Sequence, residues 1–288
     1  MGEVCDILKD ADMIDSKLLF RMFFALTAKG DVLPGEYTAN TYYDYRTTTK
    51  LITRKGGRQV VKVTIPEGYE SKQIIDLLVK KGVCEREALE EVVKNADFNY
   101  SYIKNLKKND ITRLEGYLYP DTYEFYVNSD PKTAIDKMLK NFDTKFNGEY
   151  RERAEELGLS IHKVITLASI IEREATGDDA KLVSSVFHNR LASSKYPYLE
   201  SCATVQYVLP ERKERITVED TKIDSPFNTY MHKGLPPGPI ASPGLKAIEA
   251  ALYPADTEYL FFAVSEDGEH AFSKTYEEHK ENANINPN

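Results

Sequence analysis

The sequence predicts an α+β chain: two small α+β modules, residues 1–57 and 58–127, followed by a mixed, helix-rich domain over 128–288. Three observations carry that prediction. A faint internal repeat runs through the first two segments, a valine-rich alternating run lies between the copies, and helical patterning dominates from Asp130 onward.

In the repeat, Ile7-Leu8, Met13, Leu19, Met22 and Phe23 fall 70 residues ahead of Leu77-Leu78, Val83, Leu89, Val92 and Val93. Both stretches read as two short helices separated by a break, at Asp12 in one and Gly82 in the other. Further on, Leu33–Tyr37 resembles Leu118–Tyr123, and each is followed by a helical segment, at 45–54 and 131–141. The offset grows there from 70 to 86, so the second copy carries an insertion around Asn95–Asn109. Each module is expected to set a pair of helices against a short sheet.

Gln59–Ile65 (QVVKVTI) alternates as a strand does, and Pro66-Glu-Gly68 ends it. Ser71 is the expected cap of the helix beginning near Lys72. Tyr117–Phe125, aromatic and alternating, is the next expected strand. Pro131–Leu157 reads as one long charged helix stopped at Gly158. Ser160 should cap a helix over His162–Thr176 that Gly177 ends, and Lys181–Ser193 forms another. Tyr196–Pro243 is long and irregular, and loops of that length in compact domains usually serve function. A helix at Leu245–Leu252 and a strand at Tyr259–Val264 are expected to close the chain.

Composition narrows the function. A formal charge of −8 and pI near 5.3 argue against a nucleic-acid surface, which needs clustered Lys and Arg. With no Trp but 19 Tyr, any aromatic platform for a sugar has to be tyrosine. Cys5, Cys84 and Cys202 show no metal spacing and read as free thiols. The greasiest early run, Leu18–Leu26, is interrupted by Arg21 and reads as a buried helix rather than a span. The start in helix-like sequence suggests that an anchor or signal has been trimmed away. Dinucleotide, phosphate-loop, zinc-protease and serine-hydrolase motifs are absent, so neither cofactor nor metal is expected.

The segment HKVITLASIIEREA (162–175) is apolar on nearly every side and carries Glu172 within it. Helical spacing puts Ser169 and Thr176 on the face of Glu172 and turns Glu174 away. A poorly solvated carboxylate has a raised pKa and suits a general acid near neutral pH. The alternative is a core glutamate tied to an arginine such as Arg173 or Arg190. Gln206 and Tyr207 in ATVQY, Asn228 and Tyr230 in SPFNTY, and the proline-stiffened 234–243 are groups that could meet a carbohydrate, although each is equally an ordinary structural residue.

These segments resemble one family. VTIPEGYESKQIIDLL (63–78), LEGYLYPDTYEF (114–125), LASIIEREA (167–175), VFHNRL (186–191), ATVQY (203–207), SPFNTY (225–230) and GLPPGPIASPG (234–244) stand in the order found in the YceG-like endolytic murein transglycosylases. The resemblance implies LysM-like modules ahead of a catalytic domain, a single-pass membrane anchor, and an extracytoplasmic enzyme acting on peptidoglycan glycan strands beside cell-wall synthases. It places the essential glutamate at Glu172 and the family's amide and asparagine motifs at Gln206 and Asn228, and with Ser169, Tyr207 and Tyr230 from the residue pattern these are the expected substrate contacts. Cys202 stands where many relatives carry Asp. The implied reaction is lytic, closing MurNAc onto itself with one carboxylate, whereas ordinary glycosidases use two, about 5–5.5 Å or about 6.5–9.5 Å apart. The sequence offers no evident second carboxylate beside Glu172. The rivals are a lysozyme-like hydrolase using Asp224 or Glu200 as well, and a non-catalytic wall-binding scaffold.

Overall fold

The computed structural model describes residues 1–35, 37–53, 59–176, 178–264 and 269–283. The chain is mixed α+β, with helices carrying the mass and two small two-stranded sheets among the described residues.

The first copy of the repeat is helical: α1 (Gly2–Asp10), α2 (Lys17–Thr27) and α3 (Tyr45–Thr53). Ser16 caps α2 by accepting from the Leu19 amide. A small core of Cys5, Ile14, Phe20 and Ile52 joins the three, with the Tyr45 ring edge-on to Phe20 at 5.3 Å. Two expectations are corrected here. The described residues of this copy contain no strand, so its helices do not pack on a sheet of their own. Nor is α2 a buried helix, since only Phe20 is enclosed while Leu18, Leu19, Met22 and Leu26 are exposed.

The second copy holds β1 (Val60–Thr64), α4 (Ser71–Lys80), α5 (Arg86–Asn95) and β2 (Thr122–Tyr126). β1 and β2 pair antiparallel with Val63 opposite Tyr123, which makes the second expected strand shorter than Tyr117–Phe125. Glu70, not Ser71, precedes α4 as its cap, and its amide donates to Gln73 Oε1 at 2.9 Å. Ser71 is instead buried against Glu115.

The copies repeat one construction. Asp12 and Gly82 both take positive φ, at 53° and 68°, and the next residue's amide returns to Leu8 O and Leu78 O respectively, at 2.8 and 3.0 Å. Only a left-handed residue closes a helix that way, and Gly does so at least cost. Beyond the insertion, Tyr37 Oη donates to Leu33 O and Tyr123 Oη to Tyr119 O, four residues back in each copy. Asp44 and Asp130 then accept from the amides of Thr47 and Thr133, capping α3 and the helix that begins at Pro131 alike.

The remainder is α6 (Pro131–Lys145), α7 (Gly148–Glu156), α8 (Ile161–Glu174), α9 (Ala180–Ala192), α10 (Cys202–Val208), α11 (Leu245–Leu252), the antiparallel hairpin β3 (Phe261–Val264) with β4 (His270–Ser273), and α12 (Tyr276–Asn282). The expected single helix over Pro131–Leu157 is two, because Asn147 takes an extended ψ and caps a new helix by accepting from the Tyr150 amide. One hydrophobic cluster runs from Val63 to Leu252, so the second copy shares its core with the helices that follow it. Tyr102, Tyr117 and Phe142 are the joint, with ring centroids 4.8–5.3 Å apart. Within this core α8 packs against α11, the contact that sets the candidate site.

Candidate active site

α8 is built as its sequence demands. Ser160 caps it by accepting from the Lys163 amide, and every residue from Val164 to Ile171 is buried. Such a helix can keep a carboxylate only near an end where polar backbone is within reach. Its last turn carries Glu172, Arg173 and Glu174, after which Ala175 is extended and Thr176 turns onto the Asp179 carboxylate. Gly177, the expected stop, lies outside the described residues.

Glu172 faces the Pro66–Gly68 turn of the second copy and the start of α11. The Gly244 amide donates to its Oε2 at 3.0 Å. The turn is clamped in place by Gly68 N–H to Ser242 O at 2.8 Å, Ser242 N–H to Tyr69 O at 2.8 Å, and Arg173 Nη1 to Gly68 O at 3.1 Å. That clamp brings up Glu67. A Cβ at Gly244 would lie 1.9 Å from Glu67 Oε1, so only glycine lets this carboxylate settle over the amide that holds Glu172. Burial raises the Glu172 pKa to about 7, the Gly244 amide opposes the rise, and the Glu67 charge adds to it. Sequence reasoning missed Glu67. Its only signal was the P-E-G turn, 105 residues from the helix it serves.

Glu174 points elsewhere, as helical spacing requires. It accepts from Ser201 Oγ and from the Ala203 amide at the start of α10. Its pKa is raised by burial, with those two donors opposing. It lines a cavity of about 340 Å³ together with Arg190, Glu200, Cys202, Tyr230 and His279. Arg190 is held by the Tyr198 and Leu260 carbonyls and by Glu200 at 2.7 Å, so neither Glu172 nor Glu174 is its partner.

The other expected groups are not gathered round Glu172. Ser169 is fully buried, donating to Thr166 O at 2.7 Å and accepting from the Ile240 amide at 3.0 Å, so it pins the 234–243 wall to α8 rather than facing a ligand. Asn228, expected to meet a carbohydrate, is fully buried. Its Nδ2 donates to Thr221 O and Ile223 O, and its Oδ1 accepts from the Tyr230 amide. Gln206 makes two bonds to the backbone of Lys213, and Tyr207 Oη reaches Glu115 Oε2 at 3.4 Å. Tyr230 alone joins an acid's cavity, that of Glu174, with its Oη 3.2 Å from Cys202 Sγ. No group of three or more His, Cys, Asp or Glu among the described residues is placed to hold a metal ion.

The YceG-like family model matches residues 1–285. The chain belongs to that family. Among similar proteins, the endolytic murein transglycosylase of Bacillus subtilis strain 168 is 33% identical over 97% of this chain and 80% of its own length. That of Streptococcus pneumoniae serotype 2 is 28% identical, again over 97% of this chain, which spans 55% of that relative. The crystal structure of a yceG-like protein from Listeria monocytogenes superposes with a TM-score of 0.69 at 34% identity, covering 97% of this chain and 94% of the other.

Proposed function

We propose that this YceG-like chain is a peptidoglycan lytic transglycosylase, a carbon–oxygen lyase that cuts within glycan strands between MurNAc and GlcNAc and leaves 1,6-anhydroMurNAc ends. The observation that carries the reading is Glu172: a carboxyl held by one backbone amide, its pKa near 7, at the meeting of α8, α11 and the Pro66–Gly68 turn. Protonated, it gives its proton to the glycosidic oxygen as the C1–O bond breaks and GlcNAc leaves. As a carboxylate it takes the proton of the MurNAc C6 hydroxyl while O6 bonds to C1. The proton balance closes on one residue and no water is consumed. Both relatives named as endolytic murein transglycosylases support this reading.

Cutting nascent strands would end their elongation beside the synthases that make them. Peptidoglycan lies outside the cytoplasmic membrane, which supports an extracytoplasmic domain held by a single-pass anchor. Among the described residues no helix is long and apolar enough to cross a membrane. The repeated helix–turn–helix supports two LysM-like modules, over 1–57 and 58–127, ahead of the catalytic domain over 128–288.

A second reading gives the acid/base role to Glu174, favoured by its place in the cavity with Tyr230 and Cys202. Two variants and one assay separate them. Glu172→Gln is expected to lower release of anhydro ends, read by mass spectrometry, by at least about 100-fold, since general acid–base catalysis contributes roughly that much or more. Its circular dichroism and binding to isolated murein should stay unchanged. Loss on Glu174→Gln with Glu172→Gln active would move the role to Glu174. Reducing ends heavier by one water would make the enzyme a hydrolase, and binding without any release would leave a scaffold.

A further inference from the structure

α12 buries none of its seven residues and packs chiefly on the β3–β4 hairpin. Its restraints are local: the Thr275–Glu278 capping box at one end, and at the other Asn282 Nδ2 donating to Ser273 Oγ at 2.9 Å. A helix this short has little stability of its own once it leaves such support. Yet Tyr276 and His279 of α12 line the cavity of about 340 Å³ that also holds Glu174, Arg190, Glu200 and Cys202.

The His279 ring joins the helix to that cavity. It stacks on Phe261 at 5.2 Å with the planes 23° apart, and the Arg190 guanidinium lies over the same Phe261 ring at 5.0 Å. Nδ1 of His279 is sealed from solvent and, among the described residues, has no hydrogen-bond partner. In a neutral ring that nitrogen holds only a lone pair, which is left bare at modest cost. A protonated ring would bury a charged N–H with nothing to accept it, near a guanidinium of the same sign. Burial and Arg190 accordingly lower the His279 pKa, and the Glu200 charge opposes them. Glu200 is 48% exposed and already engaged by Arg190 at 2.7 Å, which limits its pull on the ring. The neighbouring titratable groups have partners of their own. On the hairpin, His270 is bonded to Asp179 and Lys274 to Glu258. On α12, Lys280 lies over the Tyr276 ring at 5.2 Å. Across the cavity Glu174 accepts from Ser201 and Ala203, and Cys202 meets Tyr230.

We propose that α12 is a pH-gated lid over the Glu174 cavity, shut while His279 is neutral and released when the ring takes a proton. Shut, the ring fills the corner between Phe261 and Arg190. Released, it is hydrated, and α12 frays from the hairpin. Closure holds the ring neutral below its ordinary value of 6.5, so the lid is at full strength above that pH and weakens as pH falls beneath it. Buried carboxyls such as Glu115 act in the opposite direction, because they gain stability as pH falls. The device operates whichever of Glu172 and Glu174 serves as the acid.

The test is amide hydrogen exchange on the full chain at about pH 7.5 and about pH 5, with each rate divided by its intrinsic value. The His279 and Ala283 amides, which donate to Thr275 O and His279 O, are expected to lose protection several-fold at the lower pH. Amides of α8 should keep or gain it. His279→Phe keeps an aromatic ring on Phe261 but takes no proton, so α12 should stay protected at both pH values. His232→Gln, at an exposed histidine elsewhere, should behave as the unaltered chain does. Equal α12 protection at the two pH values in the unaltered chain, or the same loss in His279→Phe, would overturn the proposal. Should the phenylalanine fail to seat, the titration of the His279 ring by NMR decides. A midpoint below 6.5 that coincides with the loss of protection upholds the lid, and one at or above 6.5 overturns it.

Discussion

Glu172 and Glu67 both lie against Gly244, one bonded to its amide and the other filling the space a side chain would need. A carboxyl that is cut off from water and stands near a charge of its own sign holds its proton longer. Here that is Glu172, with a pKa of about 7 against an ordinary 4.5. The acid form is the one that starts the proposed reaction, so activity is expected to fall as pH rises through about 7. Glu67→Gln removes the neighbouring charge while keeping its shape, and should move the alkaline limb of the kcat/KM profile to lower pH without abolishing turnover. An unmoved limb would mean that Glu67 does not act on Glu172 electrostatically. Gly244→Ala carries the steric counterpart: its methyl would displace Glu67, and the same limb should shift in the same direction.

The elements nearest α8 hold the irregular stretch between α9 and α11 in shape, and Asn228 is its pin. Three hydrogen bonds tie it to Thr221, Ile223 and Tyr230, and its side chain is sealed from solvent. Asn228→Ala would leave two carbonyls short of a donor, at a cost of about 1–3 kcal/mol. The denaturant midpoint is expected to fall with little change in m. A loss of affinity for glycan at an unchanged midpoint would instead assign Asn228 to the substrate. What the sequence showed of this region follows from the range of each interaction. α8 with its Ser160 cap, α9, α11 and β1 were legible because period, cap and stop lie within a few residues of one another. The break at Asn147 was not, because the amphipathic pattern runs on through it while one side-chain bond to the Tyr150 amide restarts the helix. β4 and α12 also went unread, although Thr275-x-x-Glu278 is a local capping box and marks the start of α12. The partners of Asn228, Ser169 and Glu67 depend on loops folding back, which no period records.

At the scale of the whole molecule, the segment from β1 to β2 shares one core with the helices that follow it, and that shared core buries an acid. Glu115, in the loop between α5 and β2, accepts from the Ser71 amide and hydroxyl and faces Tyr207 Oη of α10. Burial lifts its pKa to about 8, with the Ser71 donors opposing. A carboxyl whose folded pKa exceeds its unfolded value binds more protons in the native state, so stability falls as pH rises between the two. For Glu115 that window runs from about 4.5 to about 8, and Glu172 adds to it up to about 7. Self-repulsion in a chain of pI near 5.3 works in the same direction, because net negative charge grows over the same range. The two causes separate by substitution. Glu115→Gln removes one charge and the titration together, and should flatten the decline in Tm between pH 5 and 8, with a gain at pH 8 on the order of a few kcal/mol at most. Glu211→Gln removes one charge from an exposed position and should leave the slope almost unchanged. Equal slopes for both variants would assign the pH dependence to net charge. A slope lost only in Glu115→Gln would place it in the buried contact between the β1–β2 segment and the helices that follow it.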